Sequence, residues 1–357
     1  MNTEIINIYE HNNPREALEQ AAEVLKNGGL VAFPTETVYG LGGNGLDPQA
    51  YAKIYEAKGR PSDNPLILHI ASREELIPLT AKIPAMAEKL MDAFWPGPMT
   101  LIFEKSDLVP KETTGGLDTV AIRMPSHPVA QELIRKAGLP IAAPSANLSG
   151  HPSPTRASHV EEDLSGRIDM IIDGGEVAIG LESTIIDVTG PEPMILRPGY
   201  ISLEAVRRLM GSGEFDPGIV GKPSEDVRLK APGMRYRHYA PKAEMSIVEG
   251  DTEAVVEMIL RFAAEKQDSG VKVGILCSEE TEKFYQNMQC KTIGQAACEE
   301  TIAHNLYRCL REFDEEDVDY IYSEAFSGGE LGYAIMNRLM KAAGYRVIQA
   351  GGNDGEI

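Results

Sequence analysis

Two cations one residue apart, in Lys58-Gly59-Arg60-Pro61, are the first side chains in this sequence whose types suggest chemistry. A compact ammonium beside a planar guanidinium suits a polyphosphate, because the fork takes two oxygens while the ammonium neutralises a third. The same pair could equally stand solvated at a helix C-terminus, where the dipole favours positive charge, so the triplet gains weight only from company elsewhere. Ser145 and Asn147 follow an apolar run and could meet a ligand at a strand's carboxyl end, or serve only to stabilise a turn. Arg123 ends another apolar run and suits a carboxylate as well as a surface ion pair. Ser183 and Thr184 open the segment LESTIID, and Arg197 ends a strand that could pair with it. The hydroxyls of Thr35, Thr37 and Tyr39 flank the first strand's exit. Jointly these residues put cations and hydroxyls at strand exits throughout one sheet, as a site for an anionic nucleotide and a small polar acid requires.

The elements that must carry them read as follows. Residues 15–27 form an amphipathic helix stopped by Gly28-Gly29. Leu30 to Phe33 is a buried strand, and Pro34 ends it in a loop of threonines and glycines from Thr35 to Gly45. Asp47 caps a helix with Pro48 at its first position, and Gly59 and Pro61 stop it just beyond Lys58. Strands follow at Leu66–Ile70, Met99–Glu104, Asp118–Arg123, Pro140–Pro144, 168–172, 183–188 and 194–197, with helices at 83–94, 127–137 and 203–210. This alternation indicates a twisted mixed α/β sheet. After a Pro- and Gly-rich stretch, strands at 245–248, 271–277, 318–322 and 347–350 alternate with helices at 252–266, 295–313 and 331–343, a smaller Rossmann-like parallel α/β domain. The expected organisation is therefore a catalytic domain over 1–211, a linker over 212–243 and a second domain over 244–357.

With 357 residues, 43% of them hydrophobic and 25% charged, the chain can bury two ordinary cores. A net charge of −20 argues against a protein whose main task is gripping nucleic acid. Within residues 217–243, however, the sign reverses to +4, from Lys222, Arg228, Lys230, Arg235, Arg237 and Lys242 against Glu225 and Asp226. No apolar run reaches the ~18 residues of a membrane span, and the N-terminus carries no pattern of an export signal. The four cysteines, Cys277, Cys290, Cys298 and Cys309, have no metal-ligand spacing, so reduced thiols in a cytoplasmic protein are expected. No GxxxxGK[ST], GxSxG, HExxH or GxGxxG is present. The histidines show no ligand spacing; apart from His69 and His238 they read as surface residues. Chemistry by positioning and charge neutralisation is left.

The ordered motifs FPTETVYGLG, EAKGRP, NPLILHI, WPGPMTLI, AIRMPSHP, APSANLSG, GLESTIID and ILRPG resemble the YrdC-type domain of threonylcarbamoyl-AMP synthases. APGMRYRHYAP and LGYAIMNRLMKAA resemble the longer, two-domain form, so the likeness spans essentially the whole chain. It implies an enzyme that joins L-threonine, bicarbonate and ATP into threonylcarbamoyl-AMP and pyrophosphate, for transfer by a separate enzyme to the adenosine next to the anticodon in tRNA. By that resemblance Lys58, Arg60, Asn64, Thr119, Ser145, Ser153 and Arg197 match nucleotide-binding positions, and Thr37, His69, Arg123, Ala143 and Ser183 the threonine side. Lys58, Arg60, Ser145 and Asn147 are the expected catalytic set, with Asn147 completing the family's SxN pattern. Magnesium on the triphosphate is implied, with no obvious protein ligand.

The cluster Arg235, Tyr236, Arg237 and His238 adds donors in the basic stretch, expected to fold over the first domain and meet the β- and γ-phosphates. A passive tether is the simpler alternative. Two rival functions share the YrdC-type domain. An RNA-binding module is opposed by the acidic total. A carbamoyl transferase of the hydrogenase-maturation kind would need acylphosphatase-like and zinc-finger regions not visible here.

Overall fold

The computed structural model describes residues 2–11, 13–59, 64–219 and 238–351. By compactness the chain divides into two units, one of residues 1–149 and 153–236, the other of residues 150–152 and 237–357. Arg60, Arg235, Tyr236 and Arg237 fall outside the described residues.

In the first unit the strands are β1 (Glu4–Asn7), β2 (Val31–Phe33), β3 (Gly40–Asn44), β4 (Ile67–His69), β5 (Met99–Glu104) and β6 (Thr119–Arg123). They continue with β7 (Ile141–Ala142), β8 (Met170–Asp173), β9 (Thr184–Asp187), β10 (Met194–Arg197) and β11 (Glu214–Phe215). Together they form a mixed sheet in the order β1-β8-β2-β3-β7-β4-β6-β5-β9-β10-β11. Helices α1 (Pro14–Lys26), α2 (Pro48–Lys58), α3 (Ala85–Phe94), α4 (Pro128–Ala137), α5 (Ala157–Leu164) and α6 (Leu203–Met210) supply the layers.

Most expected elements form, with ends shifted by a residue or two, except that the helix expected at 295–313 starts four residues later, at Glu299. Three departures have physical causes. The glycine-rich stretch read as loop contains β3, because low strand propensity is overridden by packing. A Cβ on Gly42 would meet Phe33 and Ile141 at 2.8 Å, so only a bare backbone brings β3 that close. The stretch expected to be linker from residue 212 begins as β11, parallel to β10, followed by a 3₁₀ turn at Pro217–Ile219. Of the histidines read as surface residues, His159 is buried on α5, and His127 caps α4 by accepting the Val129 N–H at 3.3 Å.

Side-chain alternation divides the sheet into two faces. On one, Leu41, Leu68, Leu101, Phe103, Ile122 and Ile186 join α2, α3 and α5 in the larger core. On the other, α1 and α4 cover Val31, Phe33, Ile141 and Met170. Further along that second face, Ile67, Ala121, Ile102 and Ile185 cluster with Leu196 and Ile219 rather than with an α-helix.

The second unit holds β12 (Glu244–Glu249), β13 (Val273–Cys277), β14 (Gln289–Thr292), β15 (Tyr320–Glu324) and β16 (Val347–Gln349), all parallel, in the order β14-β13-β15-β12-β16. Helices α7 (Thr252–Asp268), α8 (Glu299–Glu315) and α9 (Gly332–Ala342) make the crossovers. β14 was not expected; its intermediate burial and polar ends, Gln289 and Thr292, mark an edge strand rather than an apolar run. Counted from β12, the order is 3-2-4-1-5, which differs from the 3-2-1-4-5-6 of dinucleotide binders. Among the described residues no helix is long and apolar enough to cross a membrane.

Candidate active site

Lys58 reaches its place because α2 is fixed at both ends. Asp47 accepts the Gln49 N–H at 2.9 Å, Pro48 occupies the first turn, and Gly59 terminates the helix in the left-handed region at φ 59°. Its ammonium is buried and donates to the carbonyl oxygens of Ser145 and of Asn147, the latter at 2.6 Å. The Asn147 side-chain oxygen lies 3.4 Å away. Asn147 therefore orients Lys58, and the loop after β7 and the end of α2 are one assembly.

Strand register carries several of the remaining residues to one sheet face. β4 and β6 are parallel with Ile67 opposite Ala121 and His69 opposite Arg123. β7 runs antiparallel to β4 with Ile141 opposite His69, and the Ala143 N–H extends the pairing to the Ile67 carbonyl at 3.0 Å. Ser145 bridges Gly40 on β3. By alternation Thr119, Arg123, His69, Ala143, Ser145 and Ser183 share one face, the one where, among the described residues, Ile67, Ala121, Ile102 and Ile185 meet no α-helix. Thr119 and Arg123 are the two ends of β6, about 13 Å apart at ~3.3 Å per residue.

At the Arg123 end, the guanidinium Nη2 donates to Glu36 Oε1 at 2.7 Å, and both side chains are buried. Glu36 Oε2 accepts the Ser126 N–H at 3.1 Å. Thr35 holds the loop bearing Glu36 and Thr37, donating to the Val38 carbonyl at 2.7 Å and accepting the Thr37 N–H at 3.1 Å. His69 is buried, and that burial, reinforced by the Arg123 charge, pushes its imidazole down to about 3, so it is neutral at ordinary pH. A bulge between Ile195 and Arg197 turns Arg197 back toward β9. It donates to the Ser183 carbonyl at 3.0 and 2.9 Å and to the Ser183 hydroxyl at 3.0 Å. That hydroxyl also meets Thr100 at 2.7 Å. The structure thus joins Arg197, read as a nucleotide contact, directly to Ser183, read as a threonine contact.

Ser153 donates to Glu182 Oε1 at 2.5 Å, both buried. Asn64 is buried at the other end of β4, and its carbonyl accepts the Tyr55 hydroxyl. Tyr39 does not share the sheet face: its hydroxyl donates to the Gly175 carbonyl at 2.7 Å and accepts the Gly174 N–H at 3.1 Å, an anchor for the 173–175 turn. His238 is described with the second unit, its ring 5.6 Å from that of Tyr239, which stacks on Tyr307.

Sequence reading missed Glu36, Thr100 and Glu182. Glu36 lies between Thr35 and Thr37 and could have been singled out as the acid beside two candidate hydroxyls; Thr100 and Glu182 had no such signal. Within the first unit two buried side-chain polar atoms lack a hydrogen-bond partner among the described residues, Arg123 Nε and Asn64 Oδ1. Native interiors rarely leave such atoms orphaned unless something else meets them. No group of three or more His, Cys, Asp or Glu side chains among the described residues converges to hold a metal.

Residues 23–199 match the family profile described as "Telomere recombination", and residues 201–344 that described as "Threonylcarbamoyl-AMP synthase, C-terminal domain". A threonylcarbamoyl-AMP synthase from Pyrococcus abyssi is 50% identical over 345 residues, covering 94% of this chain and 98% of that protein. One from Bacillus subtilis is 50% identical over 339 residues, 95% of each chain. The crystal structure of Pyrococcus abyssi Sua5 complexed with L-threonine superposes with a TM-score of 0.91 at 49% identity, covering 98% of this chain and 100% of that one.

Proposed function

This chain belongs to the Sua5–YciO–YrdC family in its two-domain, threonylcarbamoyl-AMP synthase form, and we propose that it acts as a nucleotidyltransferase joining L-threonine, bicarbonate and ATP. In this reaction the threonine amino nitrogen bonds to the bicarbonate carbon as a carbon–oxygen bond breaks and water leaves, giving a carbamate. A carbamate oxygen then attacks the α-phosphorus of ATP, the bond to the β-phosphate oxygen breaks, and pyrophosphate leaves. The product, threonylcarbamoyl-AMP, passes to a separate transferase that modifies the adenosine next to the anticodon in tRNA. A cytoplasmic setting fits the four free thiols.

Two buried atoms with no hydrogen-bond partner among the described residues carry this reading. Arg123 Nε, at the carboxyl end of β6, is a donor left for a substrate, and Asn64 Oδ1, before the start of the neighbouring β4, is an acceptor left for one. The charge of Arg123 suits the threonine carboxylate, with Thr37, neutral His69, Ala143 and Ser183 shaping the pocket around the amino acid. Lys58 with Arg60 neutralises the triphosphate, and Asn64, Thr119, Ser145 and Ser153 hold the nucleotide. Arg197, through Ser183, belongs to both halves and is suited to the charge that develops between carbamate and α-phosphate. Arg235, Tyr236, Arg237 and His238 are assigned to the β- and γ-phosphates.

The described residues offer no metal cage, so magnesium is assigned to the triphosphate that ATP brings with it, where it neutralises phosphate charge. No step here depends on a protein-bound ion.

Incubation with ATP, bicarbonate and single amino acids, with pyrophosphate as readout, tests the reaction. Release that requires both threonine and bicarbonate is expected. Release independent of threonine, or none, would overturn it.

A further inference from the structure

The second unit carries a cavity of about 420 Å³ at the carboxyl edge of its parallel sheet, inside the range that small-molecule sites occupy. Its walls are the ends of β12 and β15, Val248–Gly250 and Glu324–Ser327, with Ser278 and Thr281 from the segment after β13. β12 and β15 are neighbours in register, Val248 opposite Glu324. The chain leaves β12 through α7 toward β13 on one side of the sheet order and leaves β15 through α9 toward β16 on the other. Right-handed crossovers in opposite directions put α7 and α9 on opposite faces. The two loops therefore part company where β12 meets β15, the topological switch point at which open α/β sheets hold ligands.

The chemistry of the lining selects the ligand. Glu249, Glu280 and Glu324 line the cavity, and among the described residues no Lys or Arg does. Glu324 is buried; its Oε2 accepts the Ser278 N–H at 3.0 Å and its Oε1 the Tyr285 hydroxyl at 3.0 Å. A carboxylate oxygen has two acceptor positions, so one remains on each. Glu280 is held by the Ala296 N–H, 3.1 Å from both its oxygens, and Ser278 and Thr281 share a hydroxyl contact at 3.0 Å. An anionic nucleotide would meet three carboxylates and no cation. Among the described residues these carboxylates form no metal-holding group, and the cavity has room for an organic cation.

We propose that this crevice binds a small organic amine, its ammonium groups taken by Glu249, Glu280 and Glu324 and its carbon chain lying against Val248 and Phe326. The site is separate in sequence and fold from the sheet face of the first unit, and the inference stands whether or not the proposed reaction does.

Spermidine serves as the probe, titrated calorimetrically into the full chain at constant ionic strength. Saturable binding near one equivalent is expected, weakened at least about tenfold, ~1.4 kcal/mol, in Glu249→Gln/Glu280→Gln. Both of those side chains lie at the rim, so folding is not at stake, and Ser327→Trp, which narrows the mouth, should weaken binding similarly. The pair Glu88→Gln/Glu112→Gln removes the same charge from the first unit and should leave binding unchanged. Absence of saturable binding, equal weakening in that control pair, or AMP binding in place of spermidine would overturn the proposal.

Discussion

Arg123 and Glu36, 87 positions apart, form a buried ion pair with Nη2 and Oε1 at 2.7 Å. Removing one partner of such a pair leaves an uncompensated charge and typically costs about 3–5 kcal/mol. Glu36→Gln should therefore lower the melting temperature, and threonine, by lending its carboxylate to Arg123, should restore part of the loss. A larger threonine-induced shift in Glu36→Gln than in the wild type is the expected result of a thermal-shift titration. Equal shifts would mean that Arg123 does not receive the carboxylate.

Arg123→Gln should raise the threonine KM by roughly 10-fold to 150-fold, at ~1.4 kcal/mol per decade, with ATP affinity little changed. Steady-state kinetics at saturating ATP measure it. An unchanged KM would place Arg123 outside the amino-acid site.

Lys58→Met keeps the aliphatic stem but deprives the Ser145 and Asn147 carbonyls of their donor. Pyrophosphate release should fall by at least about tenfold, since a charge-assisted contact is worth ~1.5–3 kcal/mol. Stability should drop as well, which Arg60→Ala serves to separate from the loss of phosphate binding. Wild-type turnover in a folded Lys58→Met/Arg60→Ala protein would remove both cations from the site.

His69 has its folded-state value lowered to about 3 by burial and by the charge of Arg123, against about 6.5 in an unfolded chain. Between those limits the unfolded state binds more protons. Stability is therefore intact above pH ~6.5 and declines by up to ~1.4 kcal/mol per pH unit as the pH falls toward 3. His69→Gln should flatten this slope between pH 6 and 4.5 in urea unfolding, measured as the difference from wild type. Parallel curves for the two proteins would show that His69 does not stay neutral on folding.

Arg235→Ala/Arg237→Ala should slow pyrophosphate release, and ATP with threonine should protect the 217–243 segment of the wild type from limited proteolysis. Unaltered cleavage together with unaltered turnover would leave that segment a tether.

The sequence by itself determined whatever depends on neighbours along the chain. Asp47, Pro48 and Gly59 delimit α2 and place Lys58 at its last turn, and apolar runs mark β4, β5 and β6 because a buried strand needs no contact with the solvent. Only tertiary structure decided which side chains meet. Glu36 reaches Arg123, Thr100 reaches Ser183 across 83 positions, and Ser153 reaches Glu182, through strand register rather than spacing. The bulge that aims Arg197 at Ser183 leaves no trace in a local pattern, since one extra residue reverses the facing of all that follow. β3 was hidden for a related reason. Its glycines read as loop residues in isolation and become strand residues only when Phe33 and Ile141 press against the space where a side chain would be.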